Sequence, residues 1–204
     1  MTQALSFEPA AIEFDHYLAT YPNDGGRYEL INGSIIPVNP SGEHEQVGGF
    51  LDRRVWQAIG QNPYLIPRTC TVKPFAPLTG YKPDLIVLDE TALPNEPRWK
   101  KESTILQGSS IILAIEIVST NWREDYDRKA GDYEEMGIPE LWIVDYRALG
   151  GRRYIGYPKQ PTFSVYQLIG GEYQVTLFRA GEQIQSAAFP QLCLATNDVF
   201  AAAG

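Results

Sequence analysis

Five side chains have types and settings suited to chemistry on a charged substrate: Asp84, Glu116, Lys129, Glu29 and His44. Asp84 opens the strand-like run Leu85-Ile86-Val87-Leu88, directly after Pro83. Glu116 interrupts the otherwise apolar stretch from Ser110 to Val118, where an unpaired carboxylate is costly to desolvate. A charge there needs a partner. A divalent cation shared by carboxylates of adjacent strands is one, because Mg²⁺ takes oxygen ligands and keeps several waters for chemistry. A buried salt bridge or a hydrogen-bonded core acid is the other.

Lys129 bears on that choice. Tyr126, Lys129, Tyr133 and Met136 fall at i, i+3, i+7 and i+10 of one helical face, with Arg128, Asp132 and Glu135 opposite. The lysine is therefore expected to point inward, where an ammonium can neutralise charge, orient a water or stabilise a pentavalent phosphorus. The competing arrangement is a snorkelling lysine whose stem packs while its head reaches water. Glu29, beside a hairpin, and His44, at a helix start, are weaker candidates for the same site, and Gln46 is weaker still.

These side chains need elements to hold them. Ile12, Phe14, Tyr17 and Leu18 predict a short helix between Glu8 and Tyr21. Tyr28 to Ile31 and Ser34 to Pro37, joined by Asn32-Gly33, predict a hairpin with a type I′ turn. Val47, Leu51, Val55, Ala58 and Ile59 form one face of a helix, with Ser41 as N-cap and Gly60 as stop. Strands are expected over Tyr64–Phe75, Asp84–Leu88, Ser110–Val118 and Leu141–Val144, and a helix over Asp125–Met136, closed by Gly137 and Pro139. Thr162–Leu168 and Tyr173–Phe178 alternate around Gly170-Gly171 as a C-terminal hairpin, followed by a short helical stretch near Asn197.

The 204 residues, 44% hydrophobic and 21% charged, suit one α/β domain spanning residues 1–204. The N-terminus lacks a basic region followed by an apolar core, and the longest apolar run, Ile111 to Ile115, is too short to cross a bilayer. The expectation is a soluble cytoplasmic protein with no membrane partner. Cys70 and Cys193 have no metal-binding spacing and are expected as reduced, buried thiols. A net charge of -8 argues against non-specific coating of nucleic acid. Arg68, Lys73 and Lys82 near Asp84, and Arg123, Arg128 and Lys129 after Glu116, nevertheless leave room for a local basic rim.

Taken in order, Pro83-Asp84, Glu116-Ile117-Val118-Ser119, Asp125 to Lys129, Tyr133, Gly137-Ile138-Pro139-Glu140 and Trp142-Ile143-Val144-Asp145 resemble the Uma-type family of restriction endonucleases. Tyr28 to Gly33, His44, Ser186, Phe189-Pro190 and Leu192 are similar to it too, so the resemblance covers nearly the whole chain. It implies a PD-(D/E)XK nuclease core, a mixed central β-sheet flanked by helices with a β-hairpin-rich C-terminal margin. It implies that Asp84 and Glu116, with the Ile117 carbonyl, hold Mg²⁺ or Mn²⁺ for hydrolysis of DNA phosphodiesters, with Lys129 as a migrated lysine. The usual superfamily lysine position, two residues after the second acid, is Val118 here. That departure keeps open a second reading, a catalytically silent nuclease-like domain that binds nucleic acid or a protein. A homodimer is expected by symmetry, and a purely structural dimerisation module is a third reading.

Overall fold

The structure is a computed structural model and describes residues 11–204, so the expected helical residues from Glu8 to Ala10 lie outside it. The chain begins with α1 (Phe14–Ala19), the hairpin β1 (Arg27–Ile31) and β2 (Ser34–Val38), and the long helix α2 (Gly42–Ile59). Next come β3 (Tyr64–Leu65), β4 (Thr71–Val72), β5 (Leu85–Asp89), α3 (Trp99–Glu102), β6 (Thr104–Ile105) and β7 (Ile111–Ile117). A π-helical turn, Glu124–Lys129, runs directly into α4 (Ala130–Met136). β8 (Glu140–Asp145), α5 (Arg152–Ile155), β9 (Thr162–Ile169), β10 (Glu172–Phe178) and α6 (Thr196–Ala201) complete it.

Six strands form the central mixed sheet in the order β10-β9-β8-β7-β5-β3. β7 and β8 run parallel, and the other neighbours antiparallel. Side chains alternate across the pleat, so Leu113, Ile115 and Ile117 of β7 face α2 while Ala114 and Val118 face α4. Glu116 falls in the second set, which aims its carboxylate toward the helix that follows. Both faces are covered, which explains why β7 reads as a continuous apolar run.

Local signals account for the elements nearest the site. Asn32 (φ 49°) and Gly33 (φ 77°) both take the left-handed conformation that a type I′ turn requires. Ser41 caps α2 by accepting the N–H of His44, and Val47, Leu51, Val55 and Ile59 bury its inner stripe against the sheet. Gly137 closes α4 in the left-handed conformation (φ 77°).

Three expectations are corrected. The Tyr64–Phe75 strand is broken: β3 pairs with β5 at the edge of the main sheet, whereas β4 pairs with β6 in a separate two-stranded ladder. Pro67 lies between them and supplies no N–H to a ladder, so pairing cannot continue through it. The Asp125–Met136 helix opens as a π turn, which brings Asp125, Tyr126 and Lys129 to the buried side together, and Asp132, expected on the far face, accepts the Tyr81 hydroxyl. Cys70 is buried as expected, but Cys193 is exposed because its neighbour Leu194 takes the inward position.

The C-terminal segment is moored by one carboxylate. Glu140 is 1% exposed and accepts bonds from Trp142 Nε1 (2.7 Å), Ser186 Oγ (2.5 Å) and the N–H groups of Ala187 (2.7 Å) and Ala188 (3.0 Å). Glu140→Ala would strip the acceptor from all four donors, and denaturant unfolding is expected to show a loss of at least ~3 kcal/mol. Among the described residues no helix is long and apolar enough to cross a membrane.

Candidate functional site

The five candidate side chains come from five separate segments of the chain and meet where β7 ends and β5 begins. Asp84 stands just ahead of β5, and its Oδ2 accepts the Ile117 N–H at 2.7 Å, tying the two strand ends together. His44, in the first turn of α2, places Nε2 3.2 Å from Asp84 Oδ2 and 3.1 Å from the Ile117 carbonyl. Glu29, on β1, is held by the Lys82 N–H at 2.8 Å. Gln46 is exposed and stands apart from this group.

Lys129 is the hub. Its Nζ lies 2.8 Å from Glu116 Oε2, 3.1 Å from Glu29 Oε1 and 3.7 Å from Asp125 Oδ1. The lysine is 6% exposed, so its head is buried with its stem and the snorkelling arrangement is not the one adopted. Tyr133 donates its hydroxyl to the other Glu116 oxygen at 2.8 Å. Asp125 and the Tyr133 hydroxyl join the site beyond the five candidates read from the sequence. The Asp125–Lys129 spacing of i, i+4 was a usable signal for the first.

Charge is out of balance in this cluster. Burial pushes Glu116 up to about 8; Lys129 pulls the other way, while Asp84, Asp125 and Glu29 add to the rise. Asp125 is pushed up to about 7, again by burial first and then by Asp84 and Glu29, against the pull of Lys129. Burial disfavours the Lys129 ammonium too, but Glu116, Glu29, Asp125 and Asp84 outweigh it and hold it protonated. Asp84 lies below the usual carboxylate range, because His44, Lys129 and the Ile117 N–H outweigh burial. His44 lies above its ordinary value: burial lowers it, and Asp84, the Ile117 carbonyl and Glu45 more than reverse that.

A pH dependence follows from these directions. A carboxyl whose folded pKa is raised stabilises the fold most when protonated, below its ordinary value, and that contribution fades as pH rises through the folded pKa. For Glu116 the window runs from 4.5 to about 8, and for Asp125 from 3.8 to about 7. Denaturant titrations in EDTA are expected to show this contribution declining across that range, and Glu116→Gln is expected to flatten the decline.

The cleft over these groups has a volume of about 320 Å³ and is lined by Glu29, His44, Asp84, Glu116, Asp125 and Lys129 among others. Among the described residues no three His, Cys, Asp or Glu side chains form a ready-made cation cage. The donors nevertheless fit a hard divalent ion that keeps much of its water. Asp84 Oδ2 and the Ile117 carbonyl both face His44 Nε2, and Asp84, Ile117 and Glu116 border the same cleft. Burial is the main cause of the raised Glu116 pKa, with Asp84, Asp125 and Glu29 adding to it, and a cation in the cleft would lower it.

Helices on both faces of a mixed sheet, with acids at the junction of two central strands, define the class as restriction-endonuclease-like α/β. A crystal structure of a "putative nuclease belonging to DUF820" from Anabaena variabilis has this fold: the TM-score is 0.64 at 18% identity, covering 95% of this chain and 99% of that one. The chain belongs to the Uma2 family, described as "Putative restriction endonuclease", whose pattern matches residues 14–197. No curated protein matches the sequence.

Proposed function

We propose that this chain is a metal-dependent endonuclease that hydrolyses DNA phosphodiesters, with residues 1–204 acting as one nuclease-like domain. The observation that carries the reading is the meeting of Asp84, Glu116, Asp125, Glu29 and Lys129 on one cleft at the β7 end of the sheet. Family membership supports a nuclease function.

Asp84, Glu116 and the Ile117 carbonyl would hold Mg²⁺, with Mn²⁺ as a substitute. When bound, the ion supplies Lewis-acid chemistry, acidifying a water and offsetting charge on the phosphate. The chain's own groups do the rest. The Ile117 N–H fixes the Asp84 carboxylate, and Tyr133 fixes Glu116. Lys129 stays protonated, so it serves as a fixed positive charge for the phosphorane and not as a base. Glu29 and Asp125 hold that ammonium in place, and His44 orients Asp84. A cytoplasmic homodimer, in which two sites would meet two strands, goes with this reading.

The catalytically silent alternative has two features in its favour: the Lys129 ammonium is already engaged by Glu116, and Val118 fills the usual lysine position. Relaxation of supercoiled plasmid in Mg²⁺ or Mn²⁺, abolished by EDTA, tests the proposal. Calorimetry that found neither ion bound by the wild-type protein would put the silent domain ahead.

A further inference from the structure

A second cleft, of about 370 Å³, opens on the α2 side and shares His44, Asp84 and Ile117 with the first. One wall is a single stripe of α2: Glu45, Gly48, Gly49, Asp52 and Trp56. The opposite wall carries Ile66, Pro67 and Arg68. Arg27 sits near Asp84, with Nη2 3.4 Å and 3.3 Å from the carbonyls of Lys82 and Pro83.

Two properties of this cleft are not explained by folding. Trp56 is 62% exposed, a large aromatic face left in water at the rim. Gly48 and Gly49 sit in the interior of a helix, where glycine is disfavoured. A Cβ on Gly49 would meet nothing within 4 Å, and one on Gly48 would meet Ile117 Cδ1 at an ordinary 3.5 Å. Packing therefore does not require either glycine; their effect is to keep the α2 wall of the cleft free of side chains between Trp56 and Asp84.

We propose that this cleft takes an unpaired base of a DNA strand, stacked on Trp56, while Arg68 and Arg27 meet the adjoining phosphates. Charge sets the orientation. Glu45 and Asp52 line the helix wall and repel phosphate, so the base faces α2 and the backbone follows the arginine side toward Asp84 and Glu116. Every base has a face that stacks, so the platform binds without reading sequence. The inference rests on the nuclease reading and adds to it a preference for unpaired strands.

The test uses a fluorescein-labelled mixed-sequence single strand and its duplex, followed by anisotropy in Ca²⁺, with plasmid nicking in Mg²⁺ measured in parallel. Wild type is expected to prefer the single strand. Trp56→Ala is expected to weaken single-strand binding by about five- to a hundred-fold, and Trp56→Phe to retain most of it. Gly49→Leu is expected to keep or raise the melting temperature while losing single-strand binding, a combination that misfolding cannot produce. Wild type that nicks plasmid without preferring the single strand, or Trp56→Ala that binds as wild type does, overturns the platform and leaves the nuclease reading standing. Wild type that neither nicks nor binds overturns both. A dimer lost in Trp56→Ala with DNA binding unchanged overturns the platform and makes Trp56 a contact with a second copy of the chain.

Discussion

Lys129→Met is expected to destabilise the protein by about 3–5 kcal/mol at mildly alkaline pH, where Glu116 and Asp125 are ionised, the cost of stranding one side of a buried ion pair. The size follows from the company this ammonium keeps. It is the cation that Glu116, Glu29 and Asp125 share, and none of the four is more than 8% exposed. Without it the carboxyls must protonate or unfold. The loss should therefore shrink as pH falls below the range near 7 to 8, in which Asp125 and Glu116 already take up protons. Urea titrations of wild type and variant at acidic and at mildly alkaline pH give the comparison. A loss below about 1 kcal/mol at both would mean that the ammonium is solvated and the ion pairs are weak.

The second large effect concerns Asp84. Asn is nearly isosteric and retains an oxygen to accept the Ile117 N–H, which Asp84 Oδ2 takes at 2.7 Å, so Asp84→Asn is expected to keep the fold. What it removes is the charge. With His44 and a divalent ion both deprived of that carboxylate, hydrolysis is expected to fall on the order of a thousandfold, matching the several kcal/mol that a Lewis acid contributes. Calorimetry with Mn²⁺ should show binding lost in the same variant. Cleavage at the wild-type rate by Asp84→Asn would remove Asp84 from the chemistry.

Much of this arrangement is legible from residue type and spacing, wherever the signal is local. Asn32-Gly33 specifies its turn, Ser41 and Gly60 bound α2, and the i, i+3, i+7, i+10 face of Tyr126, Lys129, Tyr133 and Met136 turns inward as the pattern requires. The convergence of Glu116 and Lys129 could be anticipated because a carboxylate inside an apolar strand must find a partner. Long-range features were not legible. Nothing in Glu124 to Lys129 distinguishes i→i+5 from i→i+4 bonding, so the π turn and the burial of Asp125 emerge only when the helix docks on the sheet. Glu140 looks like an ordinary strand-end glutamate until Ser186 and its neighbours fold back over it. The departure of the chain from the sheet after β3 is carried by Pro67, a local signal outweighed by the apolar residues around it.

The acids and Lys129 at the β7 end are proposed to form a metal-dependent phosphodiesterase site. Its most direct test incubates supercoiled plasmid with identically prepared wild type, Asp84→Asn and Lys129→Ala in Mn²⁺ and in EDTA, with folding of each verified by circular dichroism. Wild type is expected to nick in Mn²⁺ and not in EDTA, and both folded variants are expected to have lost nicking. Equal nicking by wild type and variants, or none by a wild type shown to bind Mn²⁺ and DNA, would contradict this assignment.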